Sequence, residues 1–232
     1  MKFKRSGAAL AVLESGDEMF GVYAFGGFDG QAISAFCEVL PLSSAGLGRA
    51  KVDHRWREVH RMNVARYAAS AVVLPGGEGV AVFGGFDGTK IVSSVEVFKP
   101  DHDAACSGGI GSWTTVASMP CARMSFGVCV YRGLVVVVGG GAQSGKVLKS
   151  VDVYDPAARE WIAEGADESV PDLPQGRKEC MAFVIGEELW VAGGVDASDC
   201  MDTCLIYDRT RRQWQDGPPL PCVRSAAACL VL

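Results

Sequence analysis

The sequence predicts an all-β protein assembled from repeats of one four-stranded antiparallel unit. Three observations carry that prediction. Glycine supplies 29 of 232 residues, about 12% against a usual ~7%, and it follows no collagen period, so it marks many tight turns between short strands. Glycine pairs recur at Gly26-Gly27, Gly84-Gly85, Gly139-Gly140 and Gly193-Gly194, at intervals of 58, 55 and 54 residues. A tryptophan follows each pair (Trp56, Trp113, Trp161, Trp214), and an arginine then opens a new apolar run (Arg66, Arg123, Arg177, Arg224). Self-similarity at such a period marks a repeat architecture.

The first strand follows the arginine. The segment from Arg5 to Leu13 matches the one from Arg224 to Leu232 at six of nine positions, and the run from Arg66 fits as well. The basic and apolar N-terminus, which mimics a short signal peptide, therefore reads as a repeat strand. The second strand is the apolar run ending in each glycine pair: residues 22–25, 80–83, 135–138 and 189–192. The third covers 95–98, 151–156 (with Tyr154) and 205–208 (with Tyr207), with a degenerate copy at 36–41. Asp29-Gly30 and Asp87-Gly88 place an Asp-Gly turn between second and third strands, a hairpin signal. The fourth strand holds the tryptophan.

This unit resembles the kelch repeat, whose pattern is an arginine-led first strand, a second ending in Gly-Gly, a third ending in Tyr-Asp-Pro and a tryptophan in the fourth. The match runs over units at about 5–65, 66–122, 123–176 and 177–223, with a fifth first strand at 224–232. The resemblance implies a single kelch-repeat domain over 1–232, built of β-propeller blades of four antiparallel strands: four full blades plus one extra strand. Family propellers close with about six or seven blades, so an incomplete propeller is expected. Completion by a second chain and a closed four-blade ring are the alternatives. The first strands would lie near the axis, which suits Gly7, Ala8, Ala68, Ala69 and Ser70. Trp56, Trp113, Trp161 and Trp214 are expected to pack over the glycine pairs, with Tyr154 and Tyr207 between blades.

The arginines are then expected at one mouth of a central channel. In kelch adaptors that position lines a pocket for acidic peptides. Carried over, it falls on Arg5, Arg66, Arg123, Arg177 and Arg224, with Ser6, Tyr67, Ser125, Lys178 and Ser225 beside them. Guanidinium forks suit carboxylates. The competing reading has each arginine hold a loop through a turn carbonyl or an acidic neighbour. Met124 and Lys178 depart from the adaptor pattern.

The net charge of −5 from 22 basic and 27 acidic residues argues against nucleic acid, which needs a basic excess or stripe. No apolar run reaches the length of a membrane span. The nine cysteines have no CxxC spacing, and His54, His60 and His102 lie far from most of them. Reduced, mostly buried thiols in a cytoplasmic protein are expected, without metal or cofactor. Longer third-to-fourth connections at 42–55 and 101–112, and an acidic insertion at 164–169, are candidate binding loops. No Ser-His-Asp set, HExxH or paired catalytic carboxylates emerges. The expectation is a non-catalytic protein–protein interaction module, as in substrate adaptors of ubiquitin ligases. Its partners would be other proteins with acidic segments, and it would self-associate if the propeller is open. A cytoskeletal, actin-associated scaffold is the alternative, and a kelch-fold oxidase or isomerase the more distant one.

Overall fold

The computed structural model describes residues 1–15, 19–42, 55–100 and 111–227. Every regular element among them is a strand. The first sheet runs β1 (Ala9–Ser15), β2 (Met19–Phe25), β3 (Cys37–Leu42), β4 (Arg57–Val59). The second runs β5 (Ser70–Val73), β6 (Val80–Phe83), β7 (Val95–Lys99), β8 (Ser112–Val116). The third runs β9 (Gly127–Tyr131), β10 (Leu134–Val138), β11 (Val151–Asp155), β12 (Glu160–Trp161), and the fourth β13 (Met181–Ile185), β14 (Glu188–Ala192), β15 (Cys204–Asp208), β16 (Gln213–Gly217). Each sheet is antiparallel in chain order, as four-strand repeats require. Of the fifth first strand predicted at 224–232, residues 228–232 lie outside the described residues, as do His54, His102, Cys106 and most of the two long connections.

The chain divides into two units, one of Met1–Lys90 with Ser94–Val116, the other of Ile91–Ser93 with Ala117–Leu232. The first unit buries Leu13, Phe25, Val80, Val82 and Phe98 in one cluster, with Trp113 packed against it. The second buries Val136, Val138, Leu173, Leu189, Val191, Leu205 and Tyr207, with Trp214 against it. The second strands are unbroken apolar runs because neither face meets water. Val80–Phe83 and residues 135–138 are wholly buried, the pattern of strands covered on both sides.

The tryptophans are not seated on the glycine pairs, and that expectation is corrected. Instead Trp113, Trp161 and Trp214 lie opposite the third-strand aromatics Phe98, Tyr154 and Tyr207, with ring centroids 5.2, 5.1 and 5.5 Å apart. Such cross-strand pairs stabilise a sheet directly. Each indole N–H also donates to a carbonyl just beyond the previous sheet's fourth strand or in the connection that follows it. These acceptors are His60 at 2.8 Å, Ala117 at 3.0 Å and Pro171 at 2.9 Å. Trp56, half-buried, precedes β4 rather than lying in it. Tyr207 does meet a neighbouring sheet, edge-on to Tyr131 at 6.4 Å.

The Asp-Gly signal marks a loop tip rather than a two-residue hairpin. Asp29 Oδ1 accepts the amides of Gln31 and Ala32, both at 2.8 Å; Asp87 and Asp196 do the same for Thr89 with Lys90 and for Ser198 with Asp199. These amides hold all three carboxyls below the ordinary aspartate value, the bonds from Ala32, Lys90 and Asp199 contributing most. A depressed folded value means the stabilisation is complete above the unfolded pKa of about 3.9 and is lost as pH falls through the folded one. The amide resonances of Ala32, Lys90 and Asp199 are therefore expected to titrate below about pH 4 and to stay flat from about pH 5 to 8. An NMR pH series checks this.

Candidate functional site

The arginine ahead of each first strand turns back into its own sheet. Nη1 of Arg5 donates to Gly26 O at 2.8 Å and Phe36 O at 2.9 Å. Arg66 repeats this with Gly84 O and Ser94 O, Arg123 with Gly139 O and Ser150 O, and Arg177 with Gly193 O and Thr203 O. In three sheets Nη2 then meets the acid at the second position of the third strand. The pairs are Arg5–Glu38 at 2.5 Å, Arg66–Glu96 at 2.9 Å and Arg123–Asp152. Backbone amides three residues before the arginine complete the acid's shell: Lys2 N on Glu38 and Asn63 N on Glu96.

Arg66, Arg123 and Arg177 are thus 0–2% exposed, and the Arg5 side chain is 3% exposed. They cannot line a mouth open to a peptide. The loop-holding reading describes them, with two carbonyls and a carboxylate per guanidinium in three of the four sheets. Arg224 is exposed, with Nη2 3.0 Å from Cys222 Sγ. Of the residues following the arginines, Ser6 is exposed and bridges Phe28, half-buried Tyr67 stands edge-on to Phe28 at 6.3 Å, and Lys178 bridges Val195. Ser125 gives its carbonyl to Glu179 N at 2.6 Å, and Ser225 lies 3.9 Å from Cys200 Sγ.

The fourth sheet breaks the pattern. Leu205 stands where Glu38, Glu96 and Asp152 stand; the amide three residues before the arginine is already absent in the third sheet, where Pro120 stands as Pro174 does in the fourth. Burial pulls Arg66, Arg123 and Arg177 below the usual guanidinium value; Glu96 and Asp152 oppose this for the first two, whereas Arg177 has only the thiols of Cys180 and Cys204.

Two residues past each arginine the backbone is left-handed, at Gly7, Ala68, Ser125, Glu179 and Ala226, with φ of +50 to +58°. Such angles are uncommon outside glycine. They are held by amide bonds that link successive repeats: Ala68 N to Gly7 O, Glu179 N to Ser125 O and Ala226 N to Glu179 O. The glycine pairs serve the same segments. The first glycine faces the next arginine's carbonyl, as Gly26 faces Arg66 O, and the second faces its own repeat, as Gly140 faces Met124 O. The sequence carries no residue signature for the left-handed positions, since only Gly7 is a glycine.

Among the described residues, a cleft of about 280 Å³ opens in the first unit, at the glycine-pair end of the first sheet. Phe3 stacks on Phe36 at 4.6 Å, and the Arg61 guanidinium lies 3.7 Å over the Phe36 ring. Ile33 and Ala35 extend the apolar lining, Ser34 and Asp29 add polar atoms, and exposed Lys4 stands at the rim with Arg61. The acidic insertion at 164–169 is instead tied down. Arg212 Nη2 donates to Ala166 O and Ser169 Oγ, and Arg209 pairs with Glu168 at 3.6 Å.

Of the described cysteines, Cys37, Cys129, Cys180 and Cys204 are buried and unpaired. Burial pushes Cys37 and Cys129 up to about 12, which makes them inert. His60 donates from Nδ1 to Gly111 O at 2.6 Å.

Residues 7–232 match the family model described as the KLHDC2/KLHL20/DRC7 Kelch-repeats domain. Alpha-scruin of Limulus polyphemus is 27% identical over 72% of this chain and 17% of its own length. Kelch-like protein 35 of Mus musculus is 28% identical over 72% of this chain and 25% of its own. An F-box/kelch-repeat protein of Arabidopsis thaliana is 32% identical over 45% of this chain and 25% of its own. The chain thus spans a quarter or less of these relatives. The solved structure of YjhT superposes with a TM-score of 0.71 at 15% identity, over 96% of this chain and 68% of that one. At 15% identity that match shows the fold, and a fold does not decide function, so the expectation that the protein is no enzyme is corrected: neither the blade architecture nor a lack of familiar motifs excludes catalysis. Repeats, arginine heads, glycine pairs and the family match over nearly the whole length agree: this chain belongs to the kelch-repeat family.

Proposed function

We propose that the chain is a protein-interaction module that grips extended segments carrying an acidic residue beside an apolar one. The cleft of the first unit carries this reading: an apolar floor of Phe3, Phe36 and Ile33 with Lys4 and Arg61 at its edge. Concave apolar surface with a few polar groups is the usual composition of a binding site. Unlike the buried arginine heads, Lys4 and Arg61 are exposed, and a guanidinium stacked on a ring, as Arg61 is on Phe36, keeps its edge N–H groups available to a carboxylate. Likeness to kelch-like protein 35 and to an F-box/kelch-repeat protein supports a recognition role within a larger assembly, the ligase-adaptor role that the kelch resemblance implies. The unpaired thiols suit the cytoplasm.

An array of nine-residue peptides pairing Asp or Glu with Leu or Phe is the test. Binding peptides should perturb the amide resonances of Lys4, Ile33 and Arg61. Lys4→Glu with Arg61→Glu should weaken them about tenfold or more, while Arg132→Glu leaves them unchanged. Equal binding by the double variant removes this cleft as the site.

A further inference from the structure

We propose that a small monovalent anion, chloride in ordinary buffers, neutralises Arg177 inside the fourth sheet, in the place that Glu38 and Glu96 fill in theirs. Arg177 is 2% exposed. Its Nη1 is spent on Gly193 O at 3.1 Å and Thr203 O at 3.3 Å, and its buried Nε has no acceptor, as is also true of Arg5 and Arg66. In the other sheets Nη2 meets a carboxylate, and for Arg66 and Arg123 it also meets Ser94 Oγ at 2.8 Å or Ser150 Oγ at 3.0 Å. Among the described residues Arg177 Nη2 has neither kind of acceptor: Leu205 offers no carboxylate, and the hydroxyl of Thr203, in the register of Ser94 and Ser150, makes no hydrogen bond to it.

A guanidinium does not shed its proton, and a buried charge is tolerated only when paired. The nearby thiols do not supply the counter-charge, since burial raises both Cys180 and Cys204 and keeps them protonated. The geometry of the substitution sets the size of the anion. A leucine side chain ends at its δ-methyls, one bond short of the oxygens a glutamate would place on Nη2. That shortening by one bond suits a monatomic ion rather than a phosphate or sulfate. One negative charge balances one guanidinium, with Nη2 as the donor that meets the carboxylate in the other sheets.

The test is thermal unfolding of the whole chain at constant ionic strength, with sodium chloride replacing sodium gluconate. Chloride should raise Tm saturably, by about 2–4 °C, the scale of a modest single-site ligand for a chain this long. Leu205→Glu supplies a carboxylate in place, so its Tm in gluconate should exceed that of the unaltered chain, and its chloride response should vanish. Arg177→Met should also lose the response, and it serves if Leu205→Glu does not fold. Equal Tm in the two salts for the unaltered chain, or an undiminished response in either folded variant, overturns the proposal. Crystals soaked in bromide give an independent reading. An anomalous peak within hydrogen-bonding distance of Arg177 Nη2 supports the site, and a bare guanidinium there overturns it.

Discussion

Arg66→Ala is expected to cost about 3–5 kcal/mol, a large fraction of the roughly 5–15 kcal/mol that holds a typical domain. The reason is what stays behind. Glu96, 1% exposed, keeps the amides of Asn63 and Val64 but loses the cation paired with it, and Gly84 O and Ser94 O lose their donor. Removing one member of a buried pair leaves an uncompensated charge, and that penalty exceeds the net worth of the pair. Arg177→Met provides the contrast. No carboxylate is orphaned there, so its loss should stay under about 1–2 kcal/mol. Urea midpoints for the two variants check the difference, and equal losses would refute the assignment of the carboxylate's role. Arg66→Glu combined with Arg123→Glu would set like charges against Glu96 and Asp152. Peptide binding lost in that variant would report a collapsed sheet rather than a lost contact.

Gly140→Ala should be nearly as damaging. Its φ is +104°, and a Cβ would lie 2.9 Å from both Met124 O and Phe126 Cβ. Strain of about 1–3 kcal/mol comes from the backbone angle alone. The clash adds to it, because the Met124 carbonyl is bonded to the amide of Gly141 and cannot move aside. A loss of about 3 kcal/mol or more is expected. Gly133→Ala, at the turn between β9 and β10, has φ of +81° but nothing within 4 Å, so only the angle is strained and about 1 kcal/mol is lost. Denaturant unfolding of both variants separates angle from contact.

The strand order, the sheet boundaries and the blade type were legible because each unit repeats the same landmarks. Val80–Phe83 and residues 135–138 announce themselves as strands through composition, and the glycine pairs mark where they stop. The roles of the landmarks were less legible. An arginine before an inward strand reads equally well as a partner contact or a buried clamp. The deciding residues, Glu38, Glu96 and Asp152, lie some 30 positions away in the third strand. They look like the polar half of an alternating strand. The left-handed turns at Ala68, Ser125, Glu179 and Ala226 carry no residue signature, since inter-repeat amide bonds hold them. The cleft beside Phe3 and Arg61 brings together the chain's first residues and the connection after β4, a pairing that no local spacing encodes.

The indole latches have a consequence for how such a chain can grow. Trp113, Trp161 and Trp214 each reach back to a carbonyl behind them, at His60, Ala117 and Pro171. The second, third and fourth modules therefore each carry a hook for the one before, and the first three each carry an eyelet for the one after. A gene duplication that copies one whole module, cut between eyelet and arginine, reproduces both fittings at the new seam. A cut inside a module separates the hook from the strand that aims it. Adding or removing complete modules thus preserves these fittings, with the tryptophan spacing as the ruler.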